Sequence, residues 1–193
     1  GKGAHYSNTG YILLGLIIEE ATGQGYAERL HARILDPLGL EDTFYAATEP
    51  VPGEKVDAYQ QIEGKLVNVS AIDLSSPGAA GAMVSTTRDL ARFAEALIGG
   101  ELLRPATLAE MVTFIPSGRP NLEVGLGVFR WQMPSGALVG NSGDGIGSAG
   151  RMYQLADTDL TLVLLANTSD AETVDAVFTE AVRVALETDL ATG

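Results

Sequence analysis

The sequence predicts an α+β fold in a single domain over residues 1–193: a helical region, then antiparallel strands, then one C-terminal helix packed on the sheet. Two changes of period carry that expectation. Before Pro120 the periodic segments are at helical spacing, whereas from Val124 to Ala166 apolar residues fall in short runs separated by turn residues. Helical spacing then returns from Ala171 onward. No internal repeat and no interdomain linker interrupts the order.

Each element has its own signal. Ser7 or Asn8 can cap a first helix to Thr22, with Tyr11, Leu14, Ile17 and Ile18 at helical spacing and Gly23 as the stop. A second helix over residues 25–34 carries Tyr26, Leu30 and Ile34 on one stripe and should end before Pro37. From Pro37 to Ala80 the pattern is irregular and rich in turn residues, a length more often functional than idle in a compact domain. The Ser85-Thr86-Thr87-Arg88-Asp89 run opens a helix bearing Leu90, Phe93, Ala94, Leu97 and Ile98, stopped by Gly99-Gly100, and a short helix follows Pro105. Residues 124–133, 137–139, 150–156 and 160–166 read as strands, with turns at Pro134-Ser135-Gly136 and Asp157-Thr158-Asp159. A last helix over 171–187 places Val174, Val177, Phe178, Ala181, Val182 and Leu186 at helical spacing.

Composition removes several function classes. The chain is 46% hydrophobic and 19% charged, enough apolar content for a core and too little charge for a disordered tail. A formal charge of -13 gives a phosphate backbone little to bind, so nucleic acid is not an expected partner. Without cysteine there is no disulfide framework, thiolate zinc site or thiol nucleophile, and His5 and His31 alone cannot build a multi-histidine metal centre. No metal and no cofactor is expected. The run Gly145-Ile146-Gly147-Ser148-Ala149-Gly150 matches a dinucleotide fingerprint, but that site needs a helix to follow and a strand follows here. The apolar run Ile12 to Ile18, broken by Gly15, is too short to span a bilayer. No charged and apolar leader precedes the first helix, so no signal peptide is visible. His31 reads as a surface or interface histidine.

Two segments stand out chemically. The first is Tyr6-Ser7-Asn8, ahead of a helix start: a free phenol has a pKa of about 10 and needs a cationic neighbour to act as a base near neutrality. Asn8 offers a donor and an acceptor that could orient a substrate amide. Taken alone, the segment reads first as a packed aromatic before a capped helix. The second is Gly140-Asn141-Ser142-Gly143, where glycines let a substrate backbone approach a strand edge and the Ser142 hydroxyl could bind a carbonyl or carboxylate. Taken alone, it reads first as a tight hairpin.

Joined to their surroundings, these segments resemble the serine β-lactamase and D-alanyl-D-alanine carboxypeptidase superfamily, in its class C branch with related esterases. Tyr6-Ser7-Asn8-Thr9-Gly10-Tyr11 is similar to that family's Tyr-x-Asn segment. Further landmarks follow in the family's order: Asp36-Pro37-Leu38-Gly39-Leu40, Ala79-Ala80-Gly81-Ala82-Met83-Val84-Ser85-Thr86, Gly125-Leu126-Gly127, Gly140-Asn141-Ser142-Gly143 with Gly147, and Leu164-Leu165-Ala166-Asn167. The resemblance implies a partial fold of this family and attack on a carbonyl by the serine of a Ser-x-x-Lys motif, through an acyl-enzyme. It implies that Tyr6 relays the proton and that Asn8 hydrogen-bonds the substrate amide. Asn141-Ser142-Gly143 stands at the Lys/His-Thr/Ser-Gly triplet, with Ser142 on the substrate carboxylate and the following strand giving one oxyanion-hole amide. Arg130 would be an additional anion contact. The implied ligands are peptidoglycan stem peptides, β-lactams or esters, and the implied location is secreted or in the cell envelope.

Two departures qualify the resemblance. Asn141 stands where the family carries a cation or an imidazole, which removes a formal charge. No serine in the 193 residues has Lys three positions on; Ser85 and Ser148 have Arg instead. The family's motif lies upstream of Tyr-x-Asn, so the nucleophile and two sheet strands are expected outside this chain. It would then be the C-terminal portion of a serine hydrolase and inactive alone. A binding module that kept the fold, or a subunit complemented by another chain, is the alternative. An incomplete sheet would expose an edge open to self-association or a partner chain.

Overall fold

The computed structural model describes residues 4–73, 75, 77–134, 136–156 and 158–192, with side chains described as far as residue 187. The predicted turns at 134–136 and 157–159 contain Ser135 and Asp157, which lie outside the described residues.

Helix α1 (Asn8–Thr22) is capped by Ser7, whose Oγ accepts from the Gly10 N–H at 3.3 Å, and ends at Gly23 in the left-handed region at φ 66°. Its packing face is not the stripe that periodicity suggests. Leu14 and Ile17 are exposed, along with Leu13 and Leu16, and only Gly15 is buried. A Cβ on Gly15 would sit 2.6 Å from the Ala79 Cβ, so the helix lies flush on the 3-10 turn Gly78–Ala80 through its one residue without a side chain. Over residues 12–18 the helix is apolar on every side, and its long side chains there are exposed.

Helix α2 (Tyr26–Leu30) runs on through a π turn (His31–Leu35) into α3 (Asp36–Leu38), past the Pro37 boundary expected from sequence. The Asp36 N–H bonds the His31 carbonyl, five residues back. That wide turn opens the backbone where Pro37 has no N–H to offer, and the chain continues instead of stopping. His31 bridges Asp36 Oδ1 at 3.1 Å from Nδ1 and Glu49 Oε1 at 2.8 Å from Nε2. The hydrogen bond to Asp36, then the charge and hydrogen bond of Glu49, hold its pKa above the ordinary imidazole value despite partial burial. A raised folded value makes this contribution to stability complete below the unfolded pKa of about 6.5, and it is lost as pH rises through the folded value. Thermal melts of His31→Gln should therefore trail wild type most on the acid side of about pH 6.5 and converge with it in alkali. A constant gap at every pH would refute the bridge.

Strand β1 (Phe44–Tyr45) is followed by a hairpin within the irregular stretch, formed by β2 (Tyr59–Ile62) and β3 (Lys65–Asn68). Glu63 and Gly64, at φ 50° and 76°, make its two-residue turn. Polar residues alternate weakly here, which is why the hairpin escapes a hydrophobic-period reading. β4 (Met83–Val84) pairs with β1, and α4 (Thr87–Ile98) follows with Thr86 as its cap. Asp89, 5% exposed, accepts from the Asp42 N–H at 3.0 Å and the Thr43 hydroxyl at 2.7 Å, and the Thr43 hydroxyl meets that of Ser85 at 2.8 Å. Removing the carboxylate leaves buried donors without acceptors, so Asp89→Ala should cost about 2–4 kcal/mol in urea unfolding.

After α5 (Pro105–Met111) comes a six-stranded antiparallel meander: β5 (Ile115–Pro116), β6 (Leu122–Val124), β7 (Phe129–Met133), β8 (Gly136–Gly145), β9 (Ser148–Leu155) and β10 (Thr161–Ala166). The single strand expected over 124–133 is broken at Gly125-Leu126-Gly127. There the Gly125 N–H bonds the Val128 carbonyl at 2.8 Å, Gly127 takes φ 80°, and a Cβ on Gly125 would lie 2.3 Å from the Met111 carbonyl oxygen. Helix α6 (Ala171–Thr192) covers one sheet face, where Leu138, Tyr153, Leu155, Phe178 and Val182 form the core; α4 lies against β9 and β10 from the other side. No strand pairs with the outer edge of β10 among the described residues.

Candidate functional site

Strand β8 outruns its neighbour. Its pairing with β7 ends at Phe129 opposite Gly140, while its pairing with β9 continues to Gly145 opposite Ser148. The segment 141–145 therefore has one free edge, five residues long. The strand is longer than the 137–139 expected from sequence, because Gly140, Gly143 and Gly145 do not break it. A Cβ on Gly140 would lie 2.0 Å from the Met152 carbonyl oxygen, so glycine is what allows β8 and β9 to stay in register there.

Antiparallel alternation tells which groups face the free edge. The Ala156 N–H bonds the Ala137 carbonyl at 2.7 Å, which turns odd-numbered residues of β8 toward β9 and even-numbered ones toward β7. Beyond Gly140, the Ser142 and Asp144 main-chain groups thus point at the open side. The Ser142 N–H is already taken, accepted by Asn141 Oδ1 at 2.8 Å. The Ser142 carbonyl and the Asp144 N–H have no partner among the described residues. The resemblance implies an oxyanion-hole amide on the following strand, but β9 is flanked by both β8 and β10, and the open donor is on β8 itself.

Asn141 and Ser142 face opposite sides of the sheet. Asn141 Nδ2 donates to the Gly127 carbonyl at 2.9 Å, so both ends of its amide are bonded to backbone. Ser142 is exposed and its hydroxyl faces the Tyr153 phenol on the α6 side. Burial pushes that phenol up, with Ser142 pulling the other way. Gly143 has open space where a side chain would stand.

Arg151 carries no signal in the sequence beyond its three-residue distance from Ser148, yet it organises this end of the sheet. Its side chain is 3% exposed, and it donates to Asp175 Oδ1 of α6 at 2.6 Å, Asp144 Oδ1 at 2.9 Å and the Gly150 carbonyl at 2.8 Å. Burial alone would lower its pKa, but the hydrogen bonds to Asp175 and Asp144 hold the guanidinium above its ordinary value. A cation on the buried side of a strand requires such partners.

The other predicted residues lie apart. Tyr6 is 60% exposed, its ring 5.8 Å from that of Tyr11. The Tyr11 phenol is pushed up by burial and, less, by Tyr6. Asn8 opens α1 with its side chain exposed and unbonded among the described residues. No hydrogen bond, ion pair or ring contact among the described residues joins Tyr6 or Asn8 to the 141–143 segment. Arg130 sits on the face opposite α6, bonded to Glu123 Oε2 at 2.7 Å and 4.4 Å from the Phe114 ring centroid. This pair holds the guanidinium above its ordinary value and Glu123 below the usual carboxylate range. Arg130 lines an open cavity of about 730 Å³ with Phe114, Val139 and Gln154, beside the opposite end of β8 from its free edge.

A meander carrying a glycine-lined strand overhang, preceded by a Tyr-x-Asn helix start and flanked by helices, is the α+β arrangement of the serine β-lactamase and transpeptidase fold. The beta-lactamase family model matches residues 1–187, and the chain belongs to that family. A D-stereospecific amidohydrolase from Streptomyces sp. is 32% identical, with a TM-score of 0.80 over 88% of this chain and 52% of its own. The D-amino acid amidase of Ochrobactrum anthropi SV3, solved with D-phenylalanine, is also 32% identical, with a TM-score of 0.80 over 86% of this chain and 52% of its own. Penicillin-binding protein 4* of Bacillus subtilis is 29% identical over 185 residues, which are 86% of this chain and 40% of that protein. The chain thus spans about half the length of these relatives, or less.

Proposed function

We propose that this chain is the substrate-binding portion of a secreted or envelope serine hydrolase that cleaves D-Ala-D-Ala peptides, β-lactams or esters through an acyl-enzyme. The observation that carries the reading is the free edge of β8, where the Ser142 carbonyl and the Asp144 N–H stand open beside Gly143. An extended acyl substrate adds to such an edge by main-chain hydrogen bonds. The Asp144 N–H then serves as one donor to the developing oxyanion.

The nucleophile comes from polypeptide other than these residues, since no serine here is followed by Lys at the third position. Its hydroxyl attacks the carbonyl carbon, and Tyr6 passes the displaced proton to the leaving nitrogen or oxygen. Water then adds to the acyl-enzyme and regenerates the serine. Asn8, with its amide unengaged, orients the substrate's own amide, and Ser142 offers a hydroxyl to its far end. The exposed apolar side of α1 supports the need for a further surface against it.

Intact mass after incubation with a fluorophosphonate and with a fluorescent penicillin tests this on the chain and on the full-length gene product. A stoichiometric adduct on the full-length protein alone is the expected result. No adduct on either would leave a binding module that keeps the fold without the chemistry. An adduct on these 193 residues would place the nucleophile wrongly.

A further inference from the structure

We propose that Arg151 is a positioning residue for the oxyanion donor: its guanidinium, buried under β8, fixes and polarises the Gly143–Asp144 peptide and neutralises the Asp144 carboxylate beside it. The proposal rests on the hydrolase reading above and deepens it. Three observations lead to it.

The first is the geometry of one peptide group. The Gly143 carbonyl and the Asp144 N–H are the two ends of a single trans peptide. Ladder parity turns the carbonyl toward β9 and the N–H toward the open edge. Arg151 Nη1 donates to that carbonyl at 3.4 Å, and to the Gly150 carbonyl, directly across the ladder from Gly143, at 2.8 Å. A cation at the oxygen end draws electron density toward itself and makes the N–H at the other end a stronger donor. With the Ser142 N–H accepted by Asn141, the Asp144 N–H is the main-chain donor left at this edge among the described residues.

The second is the placement of charge. A carboxylate on the residue whose N–H receives a developing oxyanion is a like charge and opposes it. Arg151 answers that charge, since Asp144 Oδ1 accepts from the same Nη1 at 2.9 Å. The Asp144 and Asp175 side chains are 50% and 44% exposed, whereas that of Arg151 is 3% exposed. Water screens the two carboxylates more than the buried guanidinium, so the positive charge is the one this peptide feels most.

The third is how firmly the cation is held. Arg151 stands opposite Ser142 in the regular part of β9, and its Nε is tied to Asp175 Oδ1 of α6 at 2.6 Å. A planar fork with donors in fixed directions serves the helix and the strand together, which a lysine ammonium on its flexible stem does not.

The test compares Arg151→Met, Arg151→Lys and Asp144→Asn in the full-length gene product, by amide turnover, by melting and by the carbonyl stretch of the acyl-enzyme formed with an activated cinnamoyl ester. Arg151→Met should lower kcat by about tenfold, a part of the 10²–10³-fold that loss of a whole oxyanion donor costs. Its carbonyl stretch should move to higher wavenumber as the hydrogen bond weakens, with Arg151→Lys between it and wild type. Asp144→Asn removes the opposing charge and leaves the guanidinium, so kcat should rise about twofold to fivefold, the scale of a half-exposed charge, and the stretch should move down even though an ion pair is lost. A merely structural bridge predicts instead that all three variants lose stability and turnover together with the stretch unmoved, and that result would overturn the proposal. Should Arg151→Met not fold, opposite shifts in Arg151→Lys and Asp144→Asn still support it, and shifts of the same sign refute it. A wild type that forms no adduct with fluorophosphonate or penicillin would sink the hydrolase reading, and this proposal with it.

Discussion

Phe178→Ala should destabilise the protein by about 3–5 kcal/mol, measured by urea unfolding, the largest effect expected of a single side chain in its core. Phe178 is 1% exposed and its ring lies 5.6 Å from that of Tyr153, tilted by 49°. It joins α6 to the sheet through Leu138, Tyr153 and Leu155 on β8 and β9, with Val182 one turn further along the helix. Alanine would leave a cavity that β8 and β9 cannot close, because each backbone is held in register by its neighbours. The consequence reaches the site. Tyr153 pairs directly with Gly140, and Arg151, two residues before it, ties Asp175 of α6 to Asp144 at the free edge. A loosened α6 should therefore weaken substrate affinity along with stability. Phe178→Leu, which keeps most of the volume, should show a smaller version of both. A loss under about 1 kcal/mol for Phe178→Ala would mean that α6 is anchored elsewhere.

The last helix was legible because Val174, Phe178 and Val182 repeat at one face and are the residues that are buried. The same reasoning failed on α1. There every position from Ile12 to Ile18 except Gly15 is apolar, so no stripe outranks another, and the face that packs is chosen by the one position that lacks a side chain. The order of strands was legible from turn residues, but their ends were not. Glycines at 140, 143 and 145 look like breakers in a one-dimensional pattern, whereas in the sheet Gly140 is required by the nearness of the Met152 carbonyl. The site was partly legible in the same sense. Gly140-Asn141-Ser142-Gly143 could be picked out as residue types, but the free donor at Asp144 depends on which way alternate N–H groups turn, and that is set by a pairing parity no composition reveals. Arg151 was missed because its role lies in four partners distant or trivial in sequence: Asp175, Asp144, the Gly143 carbonyl and its neighbour's carbonyl.

Tyr6→Phe, in the full-length gene product, should lower kcat by about 10²–10⁴-fold, the range over which a positioned proton donor or acceptor contributes. The substitution isolates the hydroxyl. Tyr6 is 60% exposed and its ring contact is with Tyr11, which phenylalanine keeps, and the phenol oxygen has no hydrogen bond to the described chain. Folding should accordingly be untouched, and the melting temperature of the variant should match wild type. KM should change little, since the substitution leaves the open main-chain groups of the β8 edge and the unbonded Asn8 amide as they are. A fall in kcat without a rise in KM is the signature of an interaction made in the transition state only. The acylation phase should slow with substrates whose leaving group needs a proton, amides above all, and less with activated esters whose leaving oxygen departs as the anion. That difference separates a proton relay from a packing role, which would slow both classes alike. If Tyr6→Phe cleaves amides at the wild-type rate, the relay belongs to another residue, and the resemblance of the Tyr6-Ser7-Asn8 segment is one of fold without the chemistry.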